Sequence, residues 1–319
     1  MLNLKIASKS ILILLSLLYP YTIYSQCCSG GAPIATNLGL TNSTKGNAQI
    51  MLTYDYNILN DLRTGNKSLN DNKRSRNTHT SLLESTYGIN NKLSITTLFS
   101  LVRQERNINN FTNLSSSTST FGIGDAVLLL KYNLIDLPKV NITVGAGPKI
   151  PLGSSNVTDK NGFFLPADLQ PGTGAWDAIF WSYIFKKRII RESISFSATT
   201  LFRYTRKNNR YNETQLYQFG NEFLSVFGFS NRFILKKTMA DLMLLFRFRH
   251  VGADRLDSGP FPNTGGTFLS FAPGFNYNIN PSFATRLTIS IPMYKFAIGT
   301  QVTTSYRLTL AFHFKINEK

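Results

Sequence analysis

The end of the chain limits the possible folds most. Between Phe283 and Ile316 the residues alternate. One set of positions carries Phe283, Leu287, Ile289, Ile291, then Val302, Tyr306, Leu308, Leu310, Phe312, Phe314 and Ile316. The positions between them carry Arg286, Thr288, Ser290, Thr303, Ser305, Arg307, Thr309, His313 and Lys315. Period two gives a strand one greasy flank and one wet flank. A soluble sheet would pack the greasy flank on a core. A membrane barrel would turn it to lipid and line a lumen with the other.

Composition and the first residues favour the barrel. Charged residues make up 16% of the chain and aromatics 13%, too few charges for an ordinary soluble surface. Met1 to Ser25 reads as a secretory signal, with Lys5 and Lys9 ahead of an apolar run, Ile11 to Leu18, and a cut before Gln26. Tyr24-Ser25-Gln26 is a poor lipobox for Cys27, so a lipid anchor is not expected. After the leader there is no apolar run of the ~18 residues a membrane helix needs. An exported chain without such helices enters a membrane only as a closed barrel, where every backbone N–H and C=O is paired internally. The net charge of +17 suits anionic headgroups and lipopolysaccharide phosphates. Nucleic acid is not expected as a partner, since the bases are not focused with aromatics on one face.

From Ala48 onward, alternating segments are separated by connections that are in turn long and short. Asn90-Asn91, the turn at Pro138, Lys186 to Glu192, Ser230 to Lys237 and Asn280-Pro281-Ser282 are the short ones. The expectation is an all-β fold: a single antiparallel transmembrane β-barrel of about 12 strands, outer-membrane type, spanning residues 48–319. A signal peptide (1–25) and an irregular N-terminal segment (26–47) precede it. One barrel strand is expected over Gln215 to Phe229. Pro273 and Pro292 interrupt strands and are expected at bulges or strand ends.

Parity then assigns a lumen. Asp125, Lys131, Lys149, Asp177, Arg203, Glu222, Arg247, Arg286 and Arg307 fall on the wet face, as do Asp55, Glu84 and Asp241. They either pair across strands and brace the barrel or line a path of mild anion preference. Pro151 to Thr173 is the longest connection; folded inward as a constriction, it would place Asp168 and Asp177 near the path. Trp176 and Trp181 suit an interfacial girdle. Lys67, Lys73, Arg74 and Arg76 read as outer-loop bases facing lipopolysaccharide. No metal site or cofactor is expected: Cys27-Cys28 is too small a set, and His79, His250 and His313 are dispersed. The enzyme alternative is a lipid hydrolase using His79 and Ser81, two apart on one flank. A structural or adhesive barrel is a third reading.

Several short motifs then carry a resemblance. They are Gly122-Ile123-Gly124-Asp125-Ala126, Gly147-Pro148-Lys149-Ile150-Pro151-Leu152-Gly153, Leu165 to Asp177, Pro292-Met293-Tyr294 and Gly299-Thr300-Gln301-Val302. Their order resembles the outer-membrane proteins grouped under the name "meta-pathway of phenol degradation", related to the FadL-like channels for hydrophobic compounds. The resemblance implies a porin-like transport barrel giving passive passage to small hydrophobic or aromatic solutes, with no catalytic residues. It covers most of Gly122 to Ile316 but not the chain end, Ile316-Asn317-Glu318-Lys319, which lacks the terminal aromatic of many such barrels.

Overall fold

The computed structural model describes residues 40, 43–109, 115–257 and 259–316. The expected leader lies outside them, as does nearly all of the N-terminal segment before Ser43. The barrel elements are β1 (Ala48–Gly65), β2 (Arg74–Gly88), β3 (Leu93–Asn109), β4 (Ser115–Ile123), β5 (Ala126–Asp136), β6 (Val140–Ile150), β7 (Asp177–Lys187), β8 (Ile194–Tyr204), β9 (Glu222–Leu235), β10 (Thr238–Val251), β11 (Gly266–Asn280) and β12 (Phe283–Ile316). Apart from β4 and β5, which do not pair with each other, consecutive elements pair antiparallel, and β1 pairs with β12 from Ala48↔Ile316 to Gly65↔Ala297, which closes the ring.

Two elements depart from one strand per pass. β4 and β5 both pair with β3, at Leu101–Asn109 and Leu93–Leu98 respectively, so they form one pass broken at Gly124-Asp125. β12 pairs antiparallel with β11 over its first half and with β1 over its second. It must therefore reverse, and it does so at Gly299, whose φ of 72° is open to glycine. Phe283 stacks on Phe314 at 4.6 Å, and Lys315 N–H donates to Ser282 O at 2.8 Å, across this hairpin. The chain thus crosses the sheet twelve times. Pro292 sits beside a register shift, where Leu269 faces Tyr294 and Ser270 faces Pro292.

The burial pattern is inside out. Leu52, Leu83, Phe99, Leu130, Leu242, Leu244 and Ile289 are exposed, while Asp55, Glu84, Lys131, Lys149 and Glu222 on the opposite flank are buried. A soluble fold would reverse that assignment. The lumen is not uniformly polar, however. Leu82, Leu98, Val102, Val127, Leu129, Ile179, Trp181, Leu201 and Leu224 form an apolar cluster inside the ring.

The strand expected over Gln215 to Phe229 is divided. Gln215–Gln218 leaves the barrel and joins Asn208–Tyr211, Arg255–Leu256 and Gly259–Pro260 in a small sheet among the long loops. The break falls at Gly220, where a Cβ would meet Gly252 O at 1.9 Å. Tyr217 Oη donates to Asp254 at 2.6 Å, and Gly220 N–H donates to the same carboxylate at 2.8 Å. Burial pushes the Asp254 carboxyl up to about 6.

Candidate functional site

At the loop end the inward residues of β2, β3 and β4 include Arg76, Gln104 and Thr120, and the long connection 151–176 is folded onto them. Its single helical turn, Ala167–Leu169, is buried. Arg76 reaches the Asp168 carboxylate at 2.8 Å and also donates to the Asp168 carbonyl and to the Gln104 side chain. Thr120 Oγ1 donates to Leu169 O at 2.8 Å, and Gln104 Nε2 to Gln170 O at 3.3 Å. The Gln170 amide accepts from Val157 N–H at 2.8 Å and donates to Leu165 O at 2.9 Å. The loop is thereby cross-linked both to itself and to the wall.

Its base is a buried three-member ion cluster. Lys149 Nζ lies 2.6 Å from Asp125 and 3.1 Å from Asp177, and donates to Ala175 O at 2.9 Å and to the Thr173 hydroxyl. Asp125 also accepts from Thr173 N–H at 3.1 Å and Gly153 N–H at 3.3 Å. One carboxylate therefore ties both ends of the loop. The two ends can approach because Gly172 lies against Gly153, where a Cβ would sit 2.4 Å from Gly153 O. A buried charge is tolerated when it is paired and hydrogen-bonded, as here.

Farther in, Glu222 bridges Arg203 at 3.2 Å and Arg249 at 2.7 Å, and Asp55 holds Arg307 at 2.8 Å. Toward the turn end, Lys131 lies 3.6 Å from Glu84 and 4.2 Å above the Trp181 ring. This pair grips Leu40: its N–H donates to Glu84 at 3.2 Å, and Lys131 donates to Leu40 O at 2.7 Å. Leu40 itself packs on Met51 and Ala311 inside the ring.

Between Leu40 and the short turns lies a cavity of about 630 Å³. Tyr183, Phe185, Val226, Met243, Leu245 and Ala311 give it an apolar strip, and much of the rest of its lining is Ser, Thr and Asn. Its charged lining is Lys187, Arg232, Arg286 and Lys315 against Asp136 and Asp241.

The structure joins most sequence-derived candidates, though not into one cluster. Asp125, Lys149 and Asp177 meet at the loop end, where Asp168 pairs with Arg76 instead. Arg203 and Glu222 pair just inside the loop end, Arg307 with Asp55, and Lys131 with Glu84. Arg286 stands in the cavity. Two assignments need correction. Arg76 belongs to β2 and is buried, because the strand begins four residues earlier than the polar text before Thr78 suggests. Trp181 points into the lumen, because it sits one residue out of phase with the exposed Trp176, Phe180 and Ile184. Leu40, Gln104 and Gln170 had no signal of their own, although Gln104 shares parity with inward Val102. For the hydrolase alternative, His79 Nδ1 hydrogen-bonds the Tyr54 hydroxyl at 2.7 Å and its ring stacks on Tyr56 at 4.6 Å. The hydroxyl that His79 engages is thus a tyrosine's.

No family model and no curated protein matches the chain. Among solved structures, an outer-membrane channel from Pseudomonas putida F1 superposes with a TM-score of 0.67 at 12% identity, covering 86% of this chain and 97% of that one. The beta domain of the Bordetella autotransporter BrkA gives a TM-score of 0.47 at 6% identity, covering 85% of this chain and 99% of that one. The NanC porin gives 0.45 at 6% identity, covering 84% and 100%. The first likeness, with the closed inside-out sheet, establishes the fold as that of a bacterial outer-membrane barrel.

Proposed function

We propose that the chain is an outer-membrane channel giving small hydrophobic or aromatic solutes passive passage, in the manner of the phenol-degradation meta-pathway group that its motifs resemble. The observation that carries this reading is the turn-end cavity of about 630 Å³ inside a lipid-facing ring, whose mostly polar lining is interrupted by an apolar strip of Tyr183, Phe185, Val226, Met243 and Leu245. That size, with an apolar strip among polar groups, suits a small organic solute. The channel described for the P. putida structure is consistent with it. The folded loop and the Leu40 segment narrow the two ends, so the path is selective and not a wide aqueous pore. Around the barrel, the long-loop bases meet lipopolysaccharide phosphates. Arg206, Lys207 and Arg210 line an open pocket at the loop end beside the exposed Trp176 and Tyr204, a position suited to headgroup contact.

Porin-deficient cells carrying the barrel would take up labelled phenol or benzamide faster than cells without it. Ala311→Trp, which fills the cavity, would return uptake to the background rate. Equal uptake with and without the barrel would refute the reading.

A further inference from the structure

We propose that the turn-end cavity selects organic anions, small aromatic or aliphatic carboxylates, through Arg286 in its wall, with Arg247 as a second cation farther along the lumen. This rests on the transport reading, because it names which of the small hydrophobic solutes the cavity retains.

The first argument is the distribution of charge pairs. Asp55, Glu84, Asp125, Asp168, Asp177, Glu222 and Asp241 each have a cationic partner in the lumen. Among the described residues, neither Arg247 nor Arg286 has an ion pair. The charges around Arg247 are already engaged: Arg307 with Asp55, and Arg249 with Glu222. Arg247 Nη2 is buried with no hydrogen-bond partner. A cationic donor in that condition gains from any acceptor brought to it.

The second argument is position. Asp241, Met243 and Leu245 line the cavity from β10, and Arg247 is the next inward residue of that strand toward the loops. Arg286 faces the same space from β12, in register with Asn276. The nearby Asp241 is already occupied: Arg232 reaches it at 2.7 Å and the Asn276 amide at 3.0 Å. Asp136, the other carboxylate of the lining, accepts from Asn141 at 3.1 Å. Arg286 thus stands in the cavity wall with Tyr183, Phe185 and Val226, and Arg247 lies farther along the lumen, three inward positions beyond the row of Arg286, Asn276 and Asp241. The arrangement suits a solute with a greasy body and one anionic end. Guanidinium groups match a carboxylate better than an ammonium does, because they offer paired donors in one plane.

The test compares benzoate with its neutral isostere benzamide, using the full barrel purified in detergent and calorimetric binding. The wild type is expected to bind benzoate about tenfold more tightly, with the preference shrinking as salt rises. Arg247→Gln/Arg286→Gln should bind the two probes equally while keeping its benzamide affinity and its heat-resistant migration, which reports an intact barrel. Equal binding of the two probes by the wild type, no binding of either, or a preference that survives in the double variant would each overturn the proposal. Cell uptake of benzamide separates the two readings. If it equals background while the benzoate preference holds, the transport reading fails and the anion site stands.

Discussion

The two halves of the lumen treat charge in opposite ways. At the loop end, Lys149, Asp125, Asp177, Arg76 and Asp168 are buried, mutually paired and tied to backbone groups of the folded loop. At the turn end, charges line an open cavity, and Arg286 faces it without an ion pair among the described residues. Both halves use the same flank of the same strands. What separates them is what occupies the space: a folded loop that pairs Arg76, Lys149 and their carboxylates, or a cavity that leaves Arg286 without an ion pair among the described residues. A polar residue on a lumen face therefore has no fixed role until its filling is known. The loop-end charges hold architecture, and at the turn end Arg286 is the charge proposed to meet solute.

That contrast is most easily broken at its stiff end. Lys149→Met leaves Asp125 and Asp177 buried without their cation, and should cost about 3–5 kcal/mol, read as an earlier unfolding midpoint in denaturant. An unchanged midpoint would mean that the loop is not held as described. Lys131→Met should cost less, about 1–3 kcal/mol, because Glu84 keeps its hydrogen bond from the Leu40 amide. Its signature would be easier cleavage ahead of Ala48 by added protease, reporting release of the segment from the lumen.

The loop sheet offers a pH test. Burial raises the Asp254 carboxyl to about 6, above its value in an opened loop. Its contribution is therefore fully present below about pH 4 and is lost as the pH rises through about 6. Cleavage in the loops around Tyr217 and Asp254 should be slowest near pH 4 and a few-fold faster near pH 8, with no change in the barrel midpoint. The smallest effect belongs to the soft half. Arg286→Gln removes a side chain that braces nothing, and should move the midpoint by less than about 0.5 kcal/mol. A large shift would make Arg286 structural and erase the difference between the halves.

The strand faces were readable from the text because period two is a local property. Asp55 lies opposite Tyr54 and Tyr56, and Arg307 lies between Tyr306 and Leu308, whatever the rest of the barrel does. The ring closure was implied too, since a lipid-facing sheet has no use for free edges. Features set by chain returns were not legible. Nothing in Leu40 announces that its amide and carbonyl will meet Glu84 and Lys131. Trp181 looked like a girdle residue by type and is a lumen residue by phase. Lys73, Arg74 and Asn77 give the surroundings of Arg76 the look of a loop, although it lies in β2. The Asp125–Lys149–Asp177 cluster sits between: its members were on the right flank, but their meeting needed the glycine contact of Gly153 and Gly172.

The whole account depends on which flank of the strands meets hydrocarbon. Single cysteines placed from Leu242 to Arg247 on β10, spin-labelled and reconstituted in lipid vesicles, test that directly. Collision with oxygen dissolved in the bilayer should be high at 242, 244 and 246 and low at 243, 245 and 247. A flat profile, or one with Leu242, Leu244 and Phe246 shielded from lipid, would contradict it.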